Sequence, residues 1–121
     1  MKRQPAIKVM MMPKDINSRG TIFGGVILSY IDQAGAVEAV KSGAQRPVTV
    51  NMREINFLKP VFVGDIVSFY TETLKVGNTS VKVKVKVVAE RIQKGEEILV
   101  TEAEVTYVNI DENWKPVPIN K

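Results

Sequence analysis

From position 81 to position 87 the chain alternates strictly between valine and lysine. Val81, Val83, Val85 and Val87 share one parity, and Lys82, Lys84 and Lys86 share the other. A period of two marks a strand with one face buried and one in water. Strands are also predicted over residues 6–12, 47–57, 66–76 and 98–108. Val48, Val50 and Met52 fall on one face of the second of these, and Ala103, Val105 and Tyr107 on one face of the last. Ile55 and Phe57 switch parity, which points to a bulge or to a second apolar face covered by another subunit. Lys59-Pro60, Val63-Gly64-Asp65, Gly77-Asn78 and Lys94-Gly95-Glu96 have turn chemistry.

Residues 26–40 break this pattern. Their length and alanine content favour helix over strand. Gly24-Gly25 opens the helix and Ser42-Gly43 is a natural stop. Val26, Ile27, Leu28, Tyr30, Ile31, Ala34, Ala36, Val37, Ala39 and Val40 surround its axis. A helix apolar nearly all round is predicted to be buried, so something must wrap it. The order is strand, loop (residues 13–21), helix, then four strands with short connections, which favours antiparallel pairing. The prediction is an α+β fold, an antiparallel five-stranded sheet wrapped around one long central helix. Residues 1–121 form a single domain, with 110–121 a loosely ordered C-terminal tail.

Composition narrows the chemistry. The 121 residues contain no cysteine and no histidine. The first absence removes disulfides, thiolate nucleophiles and zinc–sulfur sites. The second removes a Ser-His-Asp triad and any histidine-based dehydratase, so acid–base work falls to Asp, Glu, Lys, Tyr or water. No metal site and no separate cofactor are expected. The net charge of +4 suits an anionic partner without selecting one. There is no Arg-rich run and no RNA-binding aromatic box, so nucleic acid is not expected as a partner. No apolar run approaches the ~20 residues needed to span a bilayer. The start is too short and too polar for a secretory signal, being interrupted by Lys8, Pro13, Lys14 and Asp15. The expected location is cytoplasmic, with no membrane partner.

Among thirteen carboxylates, most have plain explanations. Glu72 alternates outward. Glu102 and Glu104 oppose the lysine-bearing strand and pair with it. Asp32 differs, because it interrupts the apolar helix. A buried carboxylate is either satisfied or poised for use. The alternative is a solvent-facing edge beside Ser29 and Gln33. Before the helix, Asn17 to Gly25 lead into an N-terminus with unpaired N–H groups and partial positive charge. Two glycines there let a ligand approach the backbone, where an oxyanion would be stabilised. The alternative is an ordinary Gly-rich start to a helix.

These residues, in this order, resemble the acyl-coenzyme A hydrolase branch of the hotdog-fold thioesterases. The matching segments are Met12-Pro13-x-Asp15-x-Asn17-x-x-Gly20, Phe23-Gly24-Gly25, Asp32-x-Ala34-Gly35 and Val48-Thr49. They continue through Asn56-Phe57-x-Lys59-Pro60-Val61, Val63-Gly64-Asp65 and Lys75-Val76-Gly77-x-Thr79-Ser80. The resemblance implies hydrolysis of acyl-CoA to free acid and coenzyme A, the latter being part of substrate and product. Asp32 would activate a water or act directly on the thioester carbonyl. Asn17 would orient the water or the carbonyl, and Gly24-Gly25 would supply the backbone donor. The site would lie between two protomers, with a dimer as the basic unit and a hexamer as a trimer of dimers. Substrate contacts are expected at Phe23, Thr49, Asn56, Lys59, Pro60, Lys75 and the Gly77-Asn78-Thr79-Ser80 turn. The Lys82/Lys84/Lys86 row could serve coenzyme A phosphates, but a solvated strand face is the favoured reading. The rivals are a non-catalytic acyl-CoA binding or sensing module, and a purely structural oligomer.

Overall fold

A computed structural model describes residues 4–119. It contains β1 (Ile7–Met10), a 3₁₀ turn (Pro13–Asp15), α1 (Gly24–Lys41), β2 (Pro47–Arg53), β3 (Ile66–Val76), β4 (Ser80–Arg91), a second 3₁₀ turn (Ile92–Lys94) and β5 (Glu96–Asn109). The strands form one antiparallel sheet in the order β1-β3-β4-β5-β2. This is the predicted architecture, with one long helix packed against a curled five-stranded sheet.

β4 lies at the centre of the sheet, and its valine–lysine alternation fixes which of its faces is buried. Val81, Val83, Val85 and Val87 are completely buried, facing Ile27, Ile31 and Ala34 of α1. Phe69 and Val67 of β3, with Ala103, Val105 and Tyr107 of β5, extend the same surface. Each fully buried aliphatic or aromatic side chain contributes about 1.5–3 kcal/mol. On the outer face Lys84 bonds Glu102 at 3.0 Å and Lys82 lies 3.9 Å from Glu104. Two lysines of the row are thus paired with their neighbours in the sheet. The β4–β5 connection turns on Gly95, whose φ of 64° is easily reached without a Cβ.

Four expectations change. The helix is not enclosed all round, since Val37 and Val40 are 40% and 53% exposed. Wrapping by one sheet leaves a side of any helix open. β2 stops at Arg53 rather than at 57, because Glu54 adopts a left-handed φ of 62°. The bulge lies earlier than the parity switch implied, between Thr49 and Asn51, and leaves Val50 57% exposed, off the Val48/Met52 face. The tail is tied down. Val117 N–H bonds Asn109 O and Ile119 N–H bonds Asn78 O, both at 2.9 Å, and Ile119 is buried.

Ile31→Ala, at a wholly buried position, is expected to lower stability by about 2–5 kcal/mol in urea denaturation. Lys86→Ala on the exposed face should stay within about 0.5 kcal/mol.

Candidate active site

Asp32 projects from the middle of α1 toward the β5–β2 side of the sheet. Thr49 Oγ1 donates to its Oδ1 at 2.5 Å. The Tyr107 hydroxyl donates to the Asp32 main-chain carbonyl at 2.6 Å and lies 3.3 Å from the same Oδ1. Thr49 and Tyr107 are direct partners in the β2–β5 ladder, so one rung brings both hydroxyls to one carboxylate. Among the described residues Oδ2 accepts no hydrogen bond and stays available. Burial raises the Tyr107 phenol above its ordinary pKa, with the charge of Asp32 and the bond to it adding, so Tyr107 stays protonated. Asp32 is half-buried: neither sealed in the core nor on an open edge.

A second helix carboxylate, which the sequence did not single out, faces the opposite side. Glu38 accepts from Thr71 Oγ1 at 2.9 Å and Thr73 Oγ1 at 2.7 Å, both on β3. Ser42 Oγ and Thr73 Oγ1 are 2.6 Å apart. The available signal was a pair of threonines at inward positions of an apolar strand. For Tyr107 it was a phenol among inward residues, because a buried tyrosine hydroxyl needs a partner.

The helix start forms another part of the site. Phe23 is the N-cap and provides no side-chain cap, so the Gly24 and Gly25 N–H groups have no intrahelical acceptor. Gly24 packs against the Phe57 ring, while a Cβ on Gly25 would meet nothing. Gly24, Phe57, Lys59 and Pro60 line a groove of about 260 Å³. Asn17 closes the preceding loop. Its Oδ1 accepts from Arg19 N–H (2.8 Å) and Thr21 N–H (3.2 Å), and its Nδ2 donates to Thr21 Oγ1 (2.8 Å). An amide has two donors, so one Nδ2 proton is left over.

Arg91 holds the wall of this groove. Its Nη2 donates to Pro60 O at 2.7 Å, its Nε lies 3.4 Å from Asp65 Oδ2, and it covers the Phe62 ring at 4.6 Å. Asp65, nearly fully buried, also accepts from Phe62 N–H at 2.9 Å. Asp65 read only as a turn residue in the sequence.

Other candidates lie elsewhere. Asn56 lines a separate depression of about 290 Å³ with Lys84, Glu102 and Glu104. Lys75 and the Gly77–Ser80 turn lie at the far end of β3, near the helix C-terminus, as the Ser42–Thr73 contact shows. The turn is engaged in structure: Gly77 N–H bonds Ser80 O, and Asn78 O and Thr79 O accept from Ile119 and Asn109. Thr49, expected at the substrate, spends its hydroxyl on Asp32. A depression of about 640 Å³ crosses the outer sheet face between Lys8, Tyr70, Lys86 and Glu90, away from Asp32. Among the described residues no three Asp or Glu side chains converge to hold a metal, and no helix is long and apolar enough to cross a membrane.

A single helix clasped by five antiparallel strands is the hotdog fold. The thioesterase superfamily profile matches residues 19–96, and the chain belongs to that superfamily. It is 42% identical to an uncharacterized acyl-CoA thioester hydrolase of Haemophilus influenzae, over 90% of this chain and 73% of the relative. Among solved structures it resembles a hexameric hotdog-fold thioesterase of Campylobacter jejuni, with a TM-score of 0.91, 45% identity, and 98% and 91% of the two chains covered. It also resembles a hexameric broad-specificity acyl-coenzyme A thioesterase, solved as a variant with one aspartate replaced by alanine. There the TM-score is 0.93 and the identity 38%, over 99% and 88% of the two chains.

Asp65→Ala would leave Phe62 N–H without its acceptor and Arg91 without its counter-charge. The expected loss is about 3 kcal/mol in urea denaturation. Asp65→Asn, which retains an acceptor, should lose less.

Proposed function

We propose that this protein is an acyl-coenzyme A thioesterase, hydrolysing acyl-CoA to a carboxylic acid and coenzyme A with Asp32 as the catalytic carboxylate. The observation that carries this reading is the state of that carboxylate. Oδ1 is anchored by Thr49 while Oδ2 is free, on a half-buried helix. The free oxygen can take a proton from water as the water oxygen attacks the thioester carbonyl. The C–S bond then breaks, and the proton returns to the departing thiolate. Alternatively Oδ2 attacks the carbonyl itself, the C–S bond breaks to expel the thiolate, and water cleaves the resulting anhydride, which frees the acid, restores the Asp32 carboxylate and supplies the proton the thiolate takes up. In both routes the carbonyl oxygen gains negative charge, for which the Gly24 and Gly25 N–H groups are suited donors. A base of this kind contributes about 10²–10⁴-fold, and one oxyanion donor about 10²–10³. Neither needs histidine or metal.

One protomer is insufficient. Gly24 and Asp32 are eight residues apart on one helix, about 12 Å at 1.5 Å per residue. Donors for an oxyanion must lie about 3 Å from it, and the base must reach the same centre. The geometry therefore supports a site shared by two copies, with Asn17 and Gly24-Gly25 from one and Asp32 from the other. Lys75 and the Gly77–Ser80 turn stay in this proposal as coenzyme A contacts, supplied across the shared site. Exposed Val50 on the edge strand β2, with Phe57 and Leu58 after it, offers a surface for pairing. A dimer is the basic unit of this proposal, assembling into a trimer of dimers in the cytoplasm.

Purified protein should release free thiol from a panel of acyl-CoA chain lengths. Asp32→Asn should lower kcat by about 10²–10⁴-fold with the circular dichroism spectrum unchanged. Ligand binding without thiol release at any chain length would instead favour a sensing module.

Asn17→Ala and Asp32→Asn subunits, each strongly impaired alone, should regain activity when unfolded and refolded together, because a mixed dimer contains one intact site. No recovery in mixed dimers would place both residues in one chain.

A further inference from the structure

Gly35 is a costly residue in the interior of a helix, about 1 kcal/mol worse than alanine. The structure supplies a reason. A Cβ at Gly35 would lie 2.2 Å from the Tyr107 hydroxyl and 3.0 Å from the ring carbon that bears it. Any side chain there would push the phenol away from the helix. With glycine, the hydroxyl of a fully buried tyrosine reaches the helix backbone three residues earlier, at Asp32 O. The same oxygen lies beside Asp32 Oδ1, where Thr49 also donates.

We propose that Tyr107 is a positioning residue for Asp32 and that Gly35 is the notch that admits it. This rests on the reading of Asp32 as the catalytic carboxylate. Tyr107 fixes the helix turn beneath Asp32 to β5 and holds the carboxylate rotamer from the main-chain side. Thr49 holds it from β2. With Thr49 Oγ1 donating to Oδ1, and the Tyr107 hydroxyl bonded to Asp32 O and 3.3 Å from the same Oδ1, Oδ2 is the oxygen turned to the substrate. Tyr107 does not touch the reacting atoms. Its contribution passes entirely through Asp32, which makes it separable from ordinary core packing.

The test is a double-mutant cycle in kcat. Tyr107→Phe keeps the ring and removes only the hydroxyl. It is expected to lower kcat about 10-fold, the upper end for one lost hydrogen bond to a neutral carbonyl, with KM unchanged. In the Asp32→Asn background, measured above the buffer rate, it should cause no further loss, because the group it orients is gone. Gly35→Ala should reproduce the kcat loss by displacing the hydroxyl, and gives a second route if Tyr107→Phe does not fold. Wild-type kcat in Tyr107→Phe, or the same fold-loss in both backgrounds, would overturn the proposal. Full activity in Asp32→Asn itself would instead remove the catalytic reading on which it depends.

Discussion

A helix that carries two carboxylates cannot be enclosed by an entirely apolar sheet. Each ionised group taken from water costs several kcal/mol unless it is hydrogen-bonded. The sheet answers with hydroxyls. Thr49 and Tyr107 reach Asp32 from the β2–β5 side, and Thr71 and Thr73 reach Glu38 from β3. These bonds fix the helix axially and rotationally against a valine surface that would otherwise tolerate sliding. The two carboxylates differ in one respect. Both Glu38 oxygens are occupied, whereas Asp32 keeps one free. A satisfied carboxylate is a structural anchor, and a half-satisfied one at partial exposure is suited to chemistry.

The helix start and Asp32 are separated by a length of helix that no side-chain movement can close. In the proposed reaction a second copy bridges this distance. The surface is consistent with it. Val50, Phe57 and Leu58 are all exposed along the β2 edge and the segment that follows. The groove at the helix start is meanwhile kept in shape within one chain, by Arg91 on Pro60 O and by Asp65 on Phe62 N–H.

Much of the fold was legible because local patterns report which face of an element is buried. The strict alternation at 81–87 located the central strand, and the long apolar run at 26–40 located the helix. Where pattern and structure part, the causes are local. Ile55 and Phe57 continue a strand-like composition past Arg53, while Glu54 turns the backbone left-handed. Side-chain composition makes the helix apolar all round, but a sheet covers only one side of it. Glu38 leaves no local signal because its partners lie 33 and 35 residues away on β3.

The sequence by itself determined the class of chemistry, since a chain without histidine or cysteine leaves carboxylates, amides and hydroxyls to act. It also determined the order of elements and placed Asp32, Asn17 and Gly24-Gly25 in a recognisable succession. Tertiary structure decided which groups meet. Thr49 and Tyr107 lie 17 and 75 residues from Asp32, and they converge only because β2 pairs with β5 at the far edge of the sheet. Alternation encodes a strand's buried face but not its neighbour or its register. The orientation of the Asp32 carboxylate depends on both.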